Sequence, residues 1–313
     1  MPLTKNKISF YSSVNKQNKE MDFLKRYEEM GELFEPKNVE LKKAIRINTL
    51  KITEQEIIKR LKKKGVKLEK IPYLEHGYFY EADFSLASTP EYLQGYFYIQ
   101  DASSQIPPEM LNPKPTDKVL DMASAPGGKT THLAQIMNNE GIIIALEENK
   151  ARIRSLINNL ERLSITNVTI FKKDARFTQD LGMQFDKILL DAPCGGSFCV
   201  EKDYFKVRTQ QDLDARARLQ KELLRSAHQS LKKGGEIVYS TCSLEPEENE
   251  LVINWFIEEF KDMKIEEINK EIGNAGITTF NNYKLKKELN KTRRIWTHKT
   301  GTDGFFIARL KKC

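Results

Sequence analysis

The stretch Asp-Met-Ala-Ser-Ala-Pro-Gly-Gly-Lys-Thr at residues 121–130 constrains the fold of this 313-residue chain more than any other part of the sequence. Val119 and Leu120 lead into it as the end of a strand. The apolar residues between Leu133 and Met137 then recur at the spacing of one helix face. Two adjacent glycines in the turn let a ligand approach the backbone closely. The pattern therefore predicts a strand, a binding turn and a helix.

Three ligands compete for this turn. A phosphate-binding P-loop would need its first glycine at Ala123, and the Gly-x-Gly-x-x-Gly pattern of a dinucleotide site is absent. S-adenosylmethionine fits better. The next predicted strand, residues 141–147, ends in Glu147 about 20 residues past the glycines, where a carboxylate can accept both ribose hydroxyls. An ordinary strand-to-helix turn with a solvated Glu147 remains the alternative.

Composition is that of a globular protein, with 39% hydrophobic and 30% charged residues. No stretch approaches the roughly 18 consecutive apolar residues of a membrane span, and the N-terminus lacks a signal-peptide core. We therefore expect a cytoplasmic protein whose cysteines are free thiols. A zinc site from Cys194, Cys199 and a histidine is disfavoured, because no second pair has matching spacing.

Charge is distributed unevenly along the chain. Residues 1–100 carry 18 Lys and Arg against 14 Asp and Glu, residues 101–260 carry 20 against 24, and residues 261–313 carry 13 against 6. A polyanion is therefore expected at the two ends of the chain, unless the lysines only form solvated faces. In the C-terminal run Lys284–Lys299, we expect side chains to grip phosphate or stack on a base, unless Trp296 is core. Those side chains are Arg293, Arg294, Trp296 and His298.

The first part of the chain reads as a small basic α/β module. Residues 42–51 alternate as a strand, with Ile45 and Ile47 on one face and Arg46 on the other. Thr53 and Glu56 form a capping box that opens a helix, and residues 66–80 predict further strand. We expect exposed basic side chains of this module to contact phosphates. They are Arg46, Lys51, Lys59, Arg60, Lys62, Lys63 and Lys64.

From residue 118 onward, strands and helices alternate in the pattern of a doubly wound parallel sheet. Ligands of such sheets lie at the carboxyl ends of the strands. Those ends carry acids and two thiols: Asp121, Glu147, Asp174, Asp191 with Cys194, and Cys242. A single cysteine is usually an inert buried residue, but two at adjacent strand ends near acids favour chemistry.

At these residues the chain resembles the Nol/Nop/Sun (RsmB-type) family of RNA cytosine-5 methyltransferases. The resemblance covers most of the chain and rests on residues 46–51, 98–105, 123–129, 191–194, 240–243 with 247–250, and 304–308. It departs from the family pattern at Ser124, at Gly195-Gly196 after the second thiol, and at Thr297. The Gly-Gly pair bears on the shape of that loop.

The resemblance implies an α/β fold, a class I S-adenosylmethionine-dependent methyltransferase of Rossmann-like doubly wound type with a small N-terminal RNA-binding module. Residues 1–95 would be the module and 96–313 the methyltransferase domain. Cys242 would be the nucleophile and Cys194 would help release product, with Asp191 and Lys129 assisting. The implied cofactor-binding residues are Ala123, Ser124, Ala125, Pro126, Gly127, Gly128, Lys129, Glu147, Arg152, Asp174 and Asp191.

The implied reaction suits cysteine, because carbon 5 of cytosine becomes nucleophilic only after a thiolate adds to carbon 6. We expect a monomer that acts on RNA, with tRNA as the first candidate, rRNA as the second, and no metal. Two alternatives stay open. One is DNA cytosine methylation, in which Cys194 would attack, and the other is an RNA-binding assembly factor that keeps the cofactor fold without turnover.

Overall fold

The computed structural model describes residues 22–201, 203–268, 270–281 and 283–313. Its α-helices are α1 Phe23–Glu29, α2 Glu54–Lys63, α3 Pro90–Leu93, α4 Ile106–Leu111, α5 Gly128–Ile136, α6 Lys150–Leu163, α7 Tyr204–Val207, α8 Gln210–Ser230, α9 Glu250–Glu259 and α10 Thr297–Thr300. Its strands are β1 Ala44–Ile47, β2 Lys67–Lys70, β3 Gly77–Glu81, β4 Phe97–Ile99, β5 Lys118–Asp121, β6 Ile142–Glu147, β7 Val168–Lys172, β8 Phe185–Asp191, β9 Leu231–Thr241, β10 Met263–Glu266, β11 Asn274–Ala275, β12 Thr279–Phe280, β13 Tyr283–Lys284, β14 Arg293–Ile295 and β15 Phe305–Lys312.

The N-terminal module is an antiparallel sheet in the order β2-β3-β1-β4 with α2 packed on one face. Ile45 and Ile47 of β1 are fully buried against Ile57 of α2, as the alternating pattern predicts. Thr53 caps α2 by accepting a hydrogen bond from the backbone N–H of Glu56. The strand and helix predicted for this module are confirmed.

The larger sheet follows the order β11-β14-β15-β9-β8-β5-β6-β7, with β10 also paired to β15. Strands β5 to β9 are mutually parallel, which confirms the predicted doubly wound core. The C-terminal strands extend it with antiparallel pairing, so the sheet is mixed rather than wholly parallel. Alternate residues face opposite cores: Val119 packs with α4 and α5, and Leu120 packs with α8 and α9.

Arg46 joins the N-terminal sheet to α5, and its burial corrects the prediction that it is exposed. Its side chain is fully buried, with Nη1 donating to the Gly128 carbonyl at 2.7 Å and Nη2 to Thr131 Oγ1 at 2.8 Å. Burial lowers the pKa of Arg46 to about 9. The face of β1 opposite its apolar core is therefore covered by α5. None of the helices in the described ranges is long and apolar enough to cross a membrane.

Candidate active site

The turn after β5 is held by Asp121, which is buried at the end of that strand. Thr130 Oγ1 donates to Asp121 Oδ2 at 2.7 Å, and the Ala123 N–H donates to the other carboxylate oxygen at 3.3 Å. Burial raises the pKa of Asp121 to about 6 despite these hydrogen bonds. The Asp121 carboxylate therefore holds the start of the turn at Ala123 and its end at Thr130.

Helix α5 begins at Gly128, and its N-cap is Gly127 in the left-handed region at φ 108°. No side chain of the described residues caps this helix end. Its first backbone N–H groups are then available to an anionic ligand, which the helix dipole also favours. A Cβ atom at Gly127 would come within 3.0 Å of Leu156 Cδ1, so the backbone packs closely against α6 here. The turn suits the carboxylate end of an amino-acid ligand such as S-adenosylmethionine.

Glu147 lies at the end of β6, next to the turn, and is 5% exposed. Its Oε1 accepts from the Asn149 N–H at 2.9 Å, and its Oε2 pairs with Arg152 Nη1 at 3.1 Å. Arg152 Nη2 also donates to the Ala125 carbonyl at 2.6 Å, and Ser124 Oγ donates to the Leu146 carbonyl at 2.9 Å. These bonds bring the predicted cofactor residues of two strand ends together in a fixed arrangement.

Asp174 follows β7, the next strand outward, and is also where the strand-end pattern predicts it. Arg176 Nη2 lies 2.6 Å from Asp174 Oδ2, and its hydrogen bonds lower the pKa of Asp174. This carboxylate is therefore already engaged by a local cation. Asn159 of α6 donates to the Pro126 carbonyl at 2.9 Å, which ties the cis-proline turn to the same side of the sheet.

The two predicted thiols meet at the neighbouring strand ends. Strands β8 and β9 are parallel with Asp191 opposite Ser240, so the residues that follow each strand lie side by side. Cys194 Sγ and Cys242 Sγ are 3.2 Å apart, and both side chains are partly buried. Neither cysteine is an isolated core residue, because each thiol has the other as its hydrogen-bond partner.

Charges around the thiol pair are asymmetric. Lys129 Nζ pairs with Asp191 Oδ2 at 2.7 Å, and Ser240 Oγ donates to the other oxygen of Asp191 at 2.7 Å. Burial alone would lower the pKa of Lys129. The opposing effects of Asp191 and Cys242 are larger together, so the pKa of Lys129 is raised overall. On the other thiol, the hydrogen bond to Cys242, burial and the charge of Glu248 raise the pKa of Cys194 well above its usual value. Cys194 therefore stays a protonated donor beside Cys242.

Sequence reasoning missed two supports of this site. Glu248 is buried and accepts from the Gly195 N–H at 2.8 Å and from Gln220 Nε2 at 3.2 Å. Asp303 is partly buried near Asp101 and hydrogen-bonded by Ser197, and desolvation raises its pKa to about 6. The signal for Glu248 was its place in the Glu-Glu-Asn-Glu segment, and for Asp303 its place before the Gly-Phe-Phe segment. Both residues hold the loop that follows Cys194.

The prediction that the C-terminal basic run meets RNA is wrong for Arg294 and Trp296. Arg294 is 1% exposed and donates to both carboxylate oxygens of Glu250 at 2.6 Å. Trp296 is buried beside Tyr27, which confirms the alternative that it is core. His298 pairs with Glu32 instead of pointing to solvent. An arginine in a strand of this sheet is buried through its ion pair rather than offered to a polyanion.

Family models match both parts of the chain. One described as "16S rRNA methyltransferase RsmB/F" matches residues 108–311, and one described as "N-terminal domain of 16S rRNA methyltransferase RsmF" matches residues 16–102. Two solved structures from Pyrococcus horikoshii are similar. A methyltransferase homolog protein aligns with a TM-score of 0.83 at 38% identity, covering 99% of this chain and 100% of that one. The structure of NSun6 with SFG aligns with a TM-score of 0.79 at 31% identity, covering 88% of this chain and 92% of that one.

Relatives of known name agree with these matches. The tRNA (cytosine(49)-C(5))-methyltransferase of Pyrococcus abyssi is 36% identical over 277 residues, covering 87% of this chain and 88% of that protein. The 25S rRNA (cytosine-C(5))-methyltransferase nop2 of Schizosaccharomyces pombe is 40% identical over 91% of this chain, but this chain spans only 48% of it. This chain spans 36% of the length of the human 28S rRNA (cytosine(4447)-C(5))-methyltransferase. By its matched models and relatives, the chain belongs to the Nol/Nop/Sun, or RsmB/F, family of RNA cytosine-5 methyltransferases.

Proposed function

We propose that this chain transfers a methyl group from S-adenosylmethionine to carbon 5 of cytosine in RNA through a covalent bond to Cys242. The observation that carries the proposal is the thiol pair, with 3.2 Å between Cys194 Sγ and Cys242 Sγ beside the Lys129–Asp191 ion pair. A second thiol and a cation beside a nucleophilic cysteine supply what addition to a pyrimidine ring and later expulsion require.

The turn at residues 123–129 and Glu147 would hold the cofactor, which supplies an electrophilic methyl group when bound. The uncapped start of α5 would receive its carboxylate, and Glu147 would accept the ribose hydroxyls. Asp191 borders this turn through its ion pair with Lys129, and Arg152 orients Glu147. Asp174 would contact the cofactor only if its carboxylate does so while it is also paired with Arg176. The relative solved with SFG, an S-adenosylmethionine analogue, supports this assignment.

Cys242 would attack as a thiolate, the nucleophilic form of cysteine, with Lys129 as the nearby cation whose pKa is raised in part by Cys242. Its sulfur forms a bond to carbon 6 of the cytosine, the ring double bond shifts, and carbon 5 becomes nucleophilic enough to take the methyl group. Asp191, held by Lys129 and Ser240, supplies a hydrogen-bonding group at the pyrimidine edge.

Release reverses the first bond. The carbon 5 proton passes to a water molecule acting as base, the electron pair of the broken C–H bond restores the ring double bond, and the bond between carbon 6 and sulfur breaks with its electrons returning to Cys242. Cys194 lies 3.2 Å away as a thiol whose pKa is raised, so it hydrogen-bonds the departing thiolate and favours expulsion. Cys242 is then the attacking group and Cys194 assists release.

We propose tRNA as the substrate and a monomer as the active species, with residues 1–95 as the RNA-binding module and 96–313 as the catalytic domain. The Pyrococcus abyssi relative named for tRNA supports tRNA, because that match covers most of both proteins. The relatives named for large-subunit rRNA extend well beyond this chain. Ribosomal RNA is the second candidate, supported by the RsmB/F family description. A target cytosine in a loop would need less unstacking than one inside a stem.

The test is a denaturing gel with labelled tRNA and rRNA transcripts and S-adenosylmethionine. Wild-type protein should methylate one RNA class, and Cys242→Ala should neither methylate nor form an adduct. Cys194→Ala should accumulate a denaturant-resistant adduct. An adduct in Cys242→Ala and none in Cys194→Ala would reverse the two roles. Bisulfite sequencing of RNA from cells lacking the gene, with and without the wild-type protein, then locates the cytosine.

A further inference from the structure

Helix α1 lies within residues 1–95, the proposed N-terminal module, but it packs against residues of the proposed catalytic domain. Phe23 and Tyr27 are each 1% exposed and lie in a cluster with Tyr204, Leu244 and Trp296. Tyr204 lies in the segment after Cys194, and Leu244 follows Cys242 by two residues. The segment 22–34 therefore lies across both loops that carry the thiols. We call it the N-terminal strap, and we call residues 192–201 the Cys194 loop and residues 242–249 the Cys242 loop.

The strap binds the Cys242 loop through polar contacts. Tyr27 Oη donates to Glu245 Oε1 at 2.6 Å, and the Glu245 side chain is fully buried. Arg26 Nη2 lies 2.5 Å from Glu247 Oε2 and 3.3 Å from Glu245 Oε2. Buried charge-assisted bonds of this kind fix geometry, because breaking them leaves a desolvated carboxylate. Glu245 is three residues after Cys242, so this end of the strap sets the course of the chain beyond that thiol.

The strap binds the Cys194 loop through rings. Phe34 stacks on Phe198 with centroids 5.6 Å apart and also stacks on His298 with centroids 4.3 Å apart. His298 is itself fixed by Glu32 of the strap, with Nε2 3.0 Å from Oε2. Phe34 thus connects a ring anchored in the C-terminal segment to a ring four residues beyond Cys194.

The Cys194 loop needs such an anchor because its backbone is permissive. Gly195 and Gly196 separate Cys194 from the rest of the loop, and Gly196 has φ 80°. Glycine pairs leave the direction of a loop poorly determined by local conformation. Glu248 accepts from the Gly195 N–H, and Phe198 stacks on Phe34 of the strap and on Phe205, which itself contacts Phe23 of the strap. The far half of the loop is therefore held from the strap.

We propose that Phe34 is a positioning residue for Cys194: through Phe198 it keeps the Cys194 thiol against Cys242, so that loss of the Phe34 ring impairs product release more than attack. This inference rests on the proposed function for its catalytic consequence. Its structural core, the restraint of Cys194 by the strap, holds for the protein without RNA. Phe34→Ala should therefore partly copy Cys194→Ala, and Phe34→Tyr, which keeps the ring, should not.

The experiment compares Phe34→Ala, Phe34→Tyr and Leu33→Ala in the full chain. Leu33 is the matched control, since it is the adjacent strap residue and is 83% exposed. The first readout needs no RNA: iodoacetamide alkylation of Cys194, followed by mass spectrometry, with Cys242 as the internal reference thiol. Cys194 should react roughly tenfold faster in Phe34→Ala because the loop opens more easily, and at the wild-type rate in the other two variants.

The second readout is the fraction of protein in the denaturant-resistant RNA adduct, together with single-turnover methylation. Phe34→Ala should accumulate adduct with methyl transfer slowed less than turnover, by analogy with Cys194→Ala. An unchanged alkylation rate of Cys194, or equal acceleration in Leu33→Ala, would overturn the inference. If Cys194→Ala itself forms no adduct, the proposed function fails instead, and the alkylation result still decides whether the strap restrains Cys194.

Discussion

Lys129 Nζ lies 2.7 Å from Asp191 Oδ2, so an ion pair joins the first turn of α5 to the end of β8. The same ammonium group interacts with Cys242, since the charge of that thiol contributes to the raised pKa of Lys129. One lysine therefore connects the turn at residues 123–129, Asp191 and Cys242, to which we assign cofactor binding, the contact with the pyrimidine edge and the attack.

Replacing Lys129 with methionine should slow alkylation of Cys242 at neutral pH by roughly tenfold, because the thiolate is the form that reacts and it would lose its neighbouring cation. The measurement is the iodoacetamide rate of Cys242 in protein without RNA. Asp191→Asn is the control, since it removes the acid and keeps the cation. A Cys242 rate that is equal in Lys129→Met and wild type would mean that Lys129 serves only as the partner of Asp191.

Glu147→Ala should weaken S-adenosylmethionine binding by about 1.5–3 kcal/mol, the range for hydrogen bonds to a charged group. Glu147 is buried at the strand end beside the turn, while the next residue, Glu148, is exposed. Glu148→Ala should leave the affinity unchanged and is the matched control. Titration calorimetry measures both. Equal affinities for Glu147→Ala and wild type would remove Glu147 from the site.

Arg294→Met should lower the free energy of unfolding by about 3–5 kcal/mol, because it leaves the carboxylate of Glu250 buried without its cation. Urea denaturation measures the loss. The control is Arg293→Met, whose side chain is partly exposed and pairs with Glu267, which is itself half exposed. The salt dependence of RNA binding should be the same in folded Arg294→Met as in wild type. A flattened salt dependence would return Arg294 to the RNA-binding surface.

RNA affinity should depend instead on the exposed lysines of α2. Lys59, Lys62 and Lys63 lie on its solvent side. Changing all three to glutamine should reduce the slope of log affinity against log salt by about 2, given about 0.7 per phosphate contact for a single strand. Filter binding at several salt concentrations measures the slope. If the triple variant keeps the wild-type slope, the phosphates are held elsewhere on the chain.

Stability should fall as pH rises through neutrality because of Glu245. Burial raises its pKa to about 7, although Arg26 and the hydrogen bond from Tyr27 oppose the shift. The folded chain thus keeps a proton that an unfolded glutamate releases near pH 4.3. The contribution is complete below that pH and is lost as pH rises through about 7. Glu245→Gln still accepts from Tyr27, so its unfolding free energy should decline less between pH 5 and 8. Parallel pH profiles for the two proteins would contradict this assignment.

Sequence reasoning located the strand ends well, because apolar runs that stop at Asp121, Glu147 and Asp191 leave little choice of register within each strand. It could not supply the 3.2 Å contact between the thiols. That distance depends on the pairing of Asp191 with Ser240 across two strands and on the path of each loop afterwards. These are tertiary features, which residue spacing along one strand does not contain.

The errors came from treating arginine as a surface residue. Strand alternation placed Arg46 opposite the apolar face of β1, and solvent was the default neighbour for that face. Helix α5 lies there instead, and its Gly128 carbonyl and the Thr131 hydroxyl accept the guanidinium hydrogen bonds. Arg294 is buried for the same reason, with Glu250 as its acceptor. A count of charges indicates how many cations a segment has, but not which of them find partners inside.

The buried guanidinium of Arg46 has a consequence for how this protein can be rebuilt by exchanging its parts. Because its acceptors belong to the helix that follows the cofactor turn, the N-terminal sheet and the turn share hydrogen bonds that neither can satisfy alone. Exchanging the N-terminal module for that of a relative would succeed only if the incoming strand carries an arginine at the same depth. An exchange should therefore move β1 together with the part of α5 that accepts the Arg46 hydrogen bonds, rather than cut the chain between the two proposed domains.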